Sequence, residues 1–198
     1  MSDFKKTIAK QLKESAEVLT ATAKLTPAID KAAHALLRTF RNGGKLLSFG
    51  NGGSSCDAQN FADELTGRYR RNRPPLPALA LTTNQGDLTS IANDFGFEFV
   101  FERPLRAHGR AGDVAIAIST SGNSKNVLKA ARAARELGLT VIGLTGRSGG
   151  KLKALCDHCL CIPSDSTARI QEAHITVIQI WCGILEDSLF PNAPLAHG

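Results

Sequence analysis

The chain is poor in aromatic residues, which make up 6% of it with one Trp and one Tyr, and it carries one Met. No window approaches the ~18 consecutive apolar residues of a membrane span, which excludes a helical membrane protein. The N-terminal stretch MSDFKKTIAKQLKES is charged and amphipathic and lacks the apolar block of a signal peptide. A cytoplasmic protein with no membrane partner is therefore expected. Five cysteines (Cys56, Cys156, Cys159, Cys161, Cys182) are an odd number, and a core of this size needs no disulfide, so free thiols are the default. Neither an internal repeat nor a low-complexity segment is present. The net charge of +6, from 24 Lys and Arg against 18 Asp and Glu, suits an anionic small molecule but demonstrates no nucleic-acid partner.

What is there is an ordinary globular chain: 198 residues, 42% hydrophobic and 21% charged, enough for one domain over 1–198. Residues 2–43 place apolar side chains at helical spacing (Ile8, Leu12, Ala16, Leu19, then Ala33, Leu36, Leu37, Phe40) and end at Asn42-Gly43-Gly44. This predicts an N-terminal helical hairpin. Short apolar runs follow at 45–49, 76–81, 114–118, 140–144 and 159–162. Helical patterns separate them at about 55–68, 86–92, 98–107, 124–137 and 150–156, and a long last helix falls at about 167–189. Five strands joined by helices predict an α/β fold with a five-stranded parallel sheet covered on both faces. The hairpin occupies 1–43, the sheet core 44–166 and the C-terminal helix 167–190, with a loose tail from Pro191 to Gly198.

Ligands of open parallel sheets sit beyond the carboxyl ends of the strands. Two such loops stand out, Gly50-Asn51-Gly52-Gly53-Ser54-Ser55 and Ser119-Thr120-Ser121-Gly122-Asn123-Ser124. Hydroxyls and free amides at a helix N-terminus, with glycine allowing close approach, cradle a phosphate. Neither loop ends in the Gly-Lys-Ser/Thr of a nucleotide P-loop and neither spells G-x-G-x-x-G. A phosphate without a nucleotide is what remains, against the plainer reading that these residues serve as turn and cap formers.

The runs GNGGSSCDAQNFADELTGRYRRNRP, TSIANDFGFEFVF, GDVAIAISTSGNSKNVLKAA, LTGRSGG and ARIQEAH resemble the sugar isomerase (SIS) fold, and closely the phosphoheptose isomerase family. The resemblance implies an αβα sandwich and a homotetramer with sites between subunits. It also implies conversion of sedoheptulose 7-phosphate to D-glycero-D-manno-heptose 7-phosphate, on the way to lipopolysaccharide or other heptosides. Carried over by motif, Asn51, Gly52 and Gly53 with Asn93 and Asp94 would hold sugar hydroxyls. Ser119, Thr120, Ser121 and Ser124 would hold the phosphate, Gln171 would also face the substrate, and Glu64 would be the catalytic base.

Enediol isomerisation also wants an acid for the carbonyl oxygen, and here the chain departs from the family. Family members place a histidine eight residues after the glutamine matching Gln171, where this chain has Gln179. Some bind zinc at the positions of Asn60, Glu64, Gln171 and Gln179; Asn60 and Gln179 standing where those members have histidines predict that no zinc cofactor is held. His174 is a candidate replacement acid, or a structural histidine. The missing histidine opens a second reading, a non-catalytic binding protein like the DnaA initiator-associating protein, which the ending Leu189-Phe190-Pro191 also resembles. A third is a sugar-phosphate sensor. Glu64 speaks for the enzyme, because a binding protein needs no base there.

Cys156-Asp-His-Cys159-Leu-Cys161 invites a metal reading but has no second ligand pair at zinc-finger spacing, which leaves packed thiols. Ile175, Ile178, Trp181, Cys182 and Leu185 form an apolar stripe for the core or an interface. Arg68, Arg70, Arg71 and Arg73 around Tyr69 read as a solvated loop or a subunit contact rather than a nucleic-acid surface.

Overall fold

The computed structural model describes residues 4–196; the ends of the expected first helix and tail, at 2–3 and 197–198, lie outside them. The chain runs α1 (Phe4–Thr22), α2 (Thr26–Arg41), β1 (Leu46–Gly50), α3 (Gly53–Thr66), β2 (Ala78–Ala80), α4 (Gln85–Phe95), α5 (Glu102–His108), β3 (Val114–Ser119), α6 (Lys125–Glu136), β4 (Thr140–Gly146), β5 (His158–Ile162) and α7 (Thr167–Leu189). The five strands form one parallel sheet in the order β2-β1-β3-β4-β5. Because alternate residues of a strand face opposite sides, Leu46, Ile116, Ile118, Ile142 and Leu144 meet α2, α3 and α7 on one face. Leu47, Phe49, Ala115, Ala117 and Val141 meet α5 and α6 on the other. Among the described residues no helix is long and apolar enough to cross a membrane.

Several elements differ from their expected form for local reasons. The strand expected over 76–81 shrinks to three residues because Pro77 has no ladder donor, which an edge strand tolerates, and the Leu76 N–H turns to the Leu65 carbonyl at 2.9 Å. The helix expected at 98–107 breaks into a 3-10 turn, Phe97–Phe99, and α5. Pro104 has no N–H for the Val100 carbonyl and its ring crowds that turn, while Val100 and Phe101 are driven into the core. Gly150–Leu155 is a 3-10 rather than an α-helix.

The two N-terminal helices form, but α1 does not pair with α2. It lies along α7, where Ser15 Oγ donates to Glu172 Oε2 at 2.7 Å and Arg169 Nη1 donates to the Gln11 carbonyl at 2.7 Å. Phe4, Ile8 and Leu12 are left 72%, 57% and 67% exposed, an apolar line without a partner in the single chain.

The tail is not loose. Arg71 bridges Leu195 in antiparallel fashion, Asn72 N–H donates to the Pro194 carbonyl at 2.9 Å and Ala196 N–H to that of Arg70 at 2.7 Å. Buried Glu186 anchors this corner. It accepts the N–H groups of Tyr69, Arg70 and Arg71 at 2.8–2.9 Å and pairs with Arg73 Nε at 3.0 Å. Two members of the arginine stripe thus hold the fold, since Arg71 also pairs with Asp187 at 2.7 Å.

Candidate active site

The first glycine loop and the serine loop lie side by side, because β1 and β3 are neighbours while their helices leave on opposite faces of the sheet. This is the switch point at which parallel sheets open a crevice. Gly52 turns with φ +55°, where a side chain would be strained, and delivers the chain into α3. A Cβ at Gly53 would come within 2.5 Å of Gln171 Nε2, so glycine there is what lets the start of α7 close over the start of α3. Asn51 and Asn126 exchange two amide hydrogen bonds of 2.9 and 2.8 Å, stitching the first loop to the first turn of α6. In the serine loop Ser119 Oγ and Ser124 Oγ are 3.0 Å apart. Gly122, at φ +65°, packs against the Gly149 carbonyl with no room for a Cβ.

Asn51, Ser124, Lys125 and Asn126 line a cleft of about 540 Å³ closed by Phe95–Glu98. The hydroxyl of Ser124, the ammonium of Lys125 and the free amides of the first turn of α6 give it the character of an anion site. Asn126 is a polar residue on the apolar stripe of α6, a signal readable in the sequence: it is 3% exposed and followed by buried Val127 and Leu128. Asn93 and Asp94 do not themselves line this cleft, although Phe95, next in the chain, does. α4 extends three residues beyond its expected end, and the pair sits exposed on its last turn, Asn93 Nδ2 donating to Asp94 Oδ1 at 2.8 Å.

Glu64 lies elsewhere again. α3 starts at the carboxyl end of β1 and runs back, so Glu64 is near its far end, about 16 Å along the axis from Gly53 at ~1.5 Å per residue. There it faces Gln179, whose Nε2 donates to Asn60 Oδ1 at 2.7 Å and lies 3.4 Å from Glu64 Oε1. Gln171 and Gln179 are likewise separated by about 12 Å along α7. The carboxylate and the two loops therefore occupy opposite ends of the α3–α7 pair in one chain. The Glu64 end is held from behind by Arg73, whose Nη2 and Nη1 donate to the Glu64 and Leu65 carbonyls at 2.6 Å.

Asn60, Glu64 and Gln179 do not suit zinc. Two of the three donors are carboxamides, and the Gln179 amide nitrogen, a donor with no lone pair to offer, already binds Asn60 and points at Glu64.

His174 is a core histidine, not a replacement acid. It is 0% exposed and its Nε2 donates to the Thr145 carbonyl at 3.0 Å, with Nδ1 unpartnered. Burial pushes its pKa down to about 4, against a smaller opposite effect of that hydrogen bond. Asp57 on α3 is also buried, with Oδ2 unpartnered, and burial pushes its pKa up to about 6.

These shifts act on stability with opposite signs. The depressed His174 contributes stability above about pH 6.5 that is lost as pH falls through about 4. The raised Asp57 contributes stability below about pH 4 that is lost as pH rises through about 6. Each is worth up to about 3 kcal/mol at 1.36 kcal/mol per unit, so they offset between pH 4 and 6.5. Asp57→Asn is expected to be more stable than wild type at pH 7 and to lose that advantage by pH 4. Urea midpoints at pH 7, 5.5 and 4 measure it; a stability difference that does not change with pH refutes the assignment.

The SIS domain family matches residues 10–146. The phosphoheptose isomerase of Rhodospirillum rubrum is 55% identical over 163 residues, 82% of this chain and 87% of that protein. That of Aneurinibacillus thermoaerophilus is 44% identical over 192 residues, 97% of each chain. Among solved structures, phosphoheptose isomerase GmhA from Neisseria gonorrhoeae superposes with a TM-score of 0.88 at 45% identity, covering 93% of this chain and 99% of that one. The Aneurinibacillus thermoaerophilus match, at 97% of this chain, is long enough to take in both loops, the Glu64 helix and α7. By sequence and by fold alike, the chain belongs to the SIS-domain family and, within it, to the phosphoheptose isomerases.

Proposed function

We propose that the protein interconverts sedoheptulose 7-phosphate and D-glycero-D-manno-heptose 7-phosphate, with Glu64 as the base. The observation that carries this reading is the conjunction of a cleft lined by Ser124 and Lys125 at the β1–β3 switch point, with Ser119 against Ser124, and a carboxylate retained at the family's catalytic position. Ser119, Thr120, Ser121 and Ser124 take the phosphate, and Asn51, Gly52, Gly53 and Gln171 face the sugar, with Asn93 and Asp94 reaching it from the rim. Glu64 removes a proton from C1 of the open-chain ketose and the electrons pass to the C2 carbonyl oxygen, giving an enediolate; the proton on O1 passes to O2, and as the C1 carbonyl forms the protonated Glu64 returns its proton to C2 to give the aldose. Gln179 cannot transfer a proton; it donates a hydrogen bond to the developing oxyanion. No zinc takes part in this reading.

The separation of about 16 Å between the start of α3 and Glu64 exceeds the roughly 10 Å of an extended seven-carbon phosphate built from ~1.5 Å bonds. That mismatch supports a site assembled from two copies, the loops of one meeting Glu64 of another, and with it the homotetramer. The exposed line Phe4, Ile8, Leu12 and the half-exposed Ile180 beside Gln179 supply apolar surface for such contacts. Phosphorylated sugars do not cross bilayers unaided, so the reading places the enzyme in the cytoplasm. The binding-protein alternative is not favoured: relatives at 44–55% identity are named as isomerases, and Glu64 is in place.

Turnover of sedoheptulose 7-phosphate by metal-free protein tests the reading. Wild type is expected to be active, and Gln179→His to raise kcat about tenfold or more by restoring a group able to carry a proton. An inert wild type that Gln179→His revives would mark a lapsed enzyme and overturn the proposal.

A further inference from the structure

Cys156, Cys159 and Cys161 cluster at the outer strand of the sheet, away from the groups assigned above. β5 directs Leu160 and Ile162 into the core and leaves Cys159 and Cys161 half-buried on the other side. Cys156 stands at the end of the 3-10 helix Gly150–Leu155, giving the spacing Cys-x-x-Cys with Cys159. Both thiols converge over Gly143 of β4: a Cβ there would meet Cys156 Sγ at 2.5 Å and Cys159 Sγ at 3.3 Å. Cys159 Sγ is also 3.8 Å from Cys161 Sγ, and Thr145 Oγ1 lies 3.4 Å from Cys161 Sγ.

Among the described residues no three such side chains are disposed to hold a metal ion. Cys159 and Cys161, two residues apart on an extended strand, have parallel Cα–Cβ bonds about 6.6 Å apart, beyond the ~4.5 Å Cβ separation that a disulfide spans. Cys156 lies off the strand and can turn toward Cys159.

What lies behind Cys156 gives the pair a consequence. Its S–H donates to the Leu152 carbonyl at 3.2 Å, closing the 3-10 helix. Leu152 N–H in turn donates to the Gly122 carbonyl at 2.9 Å, and Lys151 N–H to Asn123 Oδ1 at 3.1 Å. Gly122 and Asn123 belong to the serine loop, so this short helix is the floor on which that loop rests.

We propose that Cys156 and Cys159 form a reversible dithiol–disulfide pair, oxidised by hydroperoxides, whose closure releases the 3-10 helix from beneath the serine loop. The Cys159 thiolate attacks a peroxide oxygen; the O–O bond breaks, water or alcohol leaves, and Cys159 becomes a sulfenic acid. Cys156 sulfur then attacks that sulfur, forming the S–S bond and expelling water. The peroxide gains the two electrons that the two thiols lose, and a dithiol reductant returns them. Closure removes the S–H that held Leu152. The adjacent Cys156 sulfur, with Thr145 and Cys161 beside it, holds the Cys159 thiol below the usual thiol range, so Cys159 is the attacking partner, while the same neighbour and burial push Cys156 upward. Only the effect on sugar-phosphate binding rests on the function proposed above; the bridge and the loosened loop do not.

The full chain, reduced and then treated with a small excess of hydrogen peroxide, tests this. Titratable thiols are expected to fall from five to three, with a Cys156–Cys159 linkage by peptide mapping, and a dithiol to restore all five. Hydrogen exchange of the peptides spanning 119–126 and 150–155 is expected to quicken at least threefold on oxidation. Cys161→Ser should behave as wild type; Cys156→Ser should stop at a Cys159 sulfenic acid that dimedone traps, with loop exchange unchanged. Retention of five thiols, a bridge that maps to another pair, or a bridge that leaves exchange at 119–126 unaltered overturns the proposal. Because none of these readouts needs turnover, an inactive enzyme and a failed redox pair are told apart.

Discussion

Replacing Glu64 by Gln is expected to lower kcat for sedoheptulose 7-phosphate by about 10²- to 10⁴-fold, the range over which a positioned base contributes, with KM little changed. Glutamine keeps the shape of the side chain and an oxygen for the Gln179 amide, which lies 3.4 Å from the present carboxylate. It has no basic oxygen with which to take a proton from carbon. The loss should appear equally in exchange of the C1 proton with solvent deuterium, which reports enediol formation without waiting for product. Exchange surviving at the wild-type rate would remove Glu64 from the mechanism. A simultaneous large rise in KM would instead make it a binding residue. Folding is not at stake, since the helix end is held through the Glu64 backbone carbonyl rather than its side chain.

The second large effect is on stability and falls on Glu186. Its side chain is 2% exposed and that of Arg73 is 0% exposed, and one carboxylate serves four donors. Burial alone would raise its pKa, but the three backbone N–H groups and the Arg73 charge together hold it below the usual carboxylate range. Glu186→Ala leaves a buried guanidinium without its counter-charge and three amides without an acceptor, a loss of about 3–5 kcal/mol. For a chain of this length that is a fall in Tm of about 6–20 °C at 2–4 °C per kcal/mol. The depressed pKa gives its sign with pH: the contribution is present above the ordinary carboxylate range and is lost as pH falls below that range through the lower pKa of the folded state. Calorimetry of Glu186→Ala beside Glu186→Gln, which keeps one acceptor oxygen, separates charge from hydrogen bonding. A Tm within 2 °C of wild type for Glu186→Ala would refute the anchor. Because Arg73 also grips the carbonyls of Glu64 and Leu65, the weakened corner should cost activity at temperatures where the protein remains folded.

How far the sequence could be read depends on how local the cause was. The parallel sheet was legible because fully buried strands must be apolar on both faces, as in Val114–Ser119. The two glycine- and serine-rich loops were legible because glycine, serine and a following helix sit together in the chain. The break before α5 and the shortened β2 had a signal in Pro104 and in Pro77 that helical and alternating patterns outvoted. Docking of the tail gave no signal, for it is made by backbone groups that any residue offers. His174 was readable as a histidine near the site, but its direction depends on the rotation of α7 over β4, which only packing sets.

By itself the amino-acid order determined the fold class and the two glycine- and serine-rich loops, which reside in side-chain type and short spacing, while the carboxylate proposed as the base and the glutamine in place of a histidine were legible only through the resemblance to the family. Tertiary structure decided where these meet. It placed Glu64 with Gln179 and Asn60 at the far end of α3 from the loops, turned His174 inward to a carbonyl, and brought Cys156 and Cys159 together over Gly143. The physical reason is that a helix returns from its strand at a rise of ~1.5 Å per residue: groups joined by one helix are carried apart, and groups distant in the chain are brought together by the sheet.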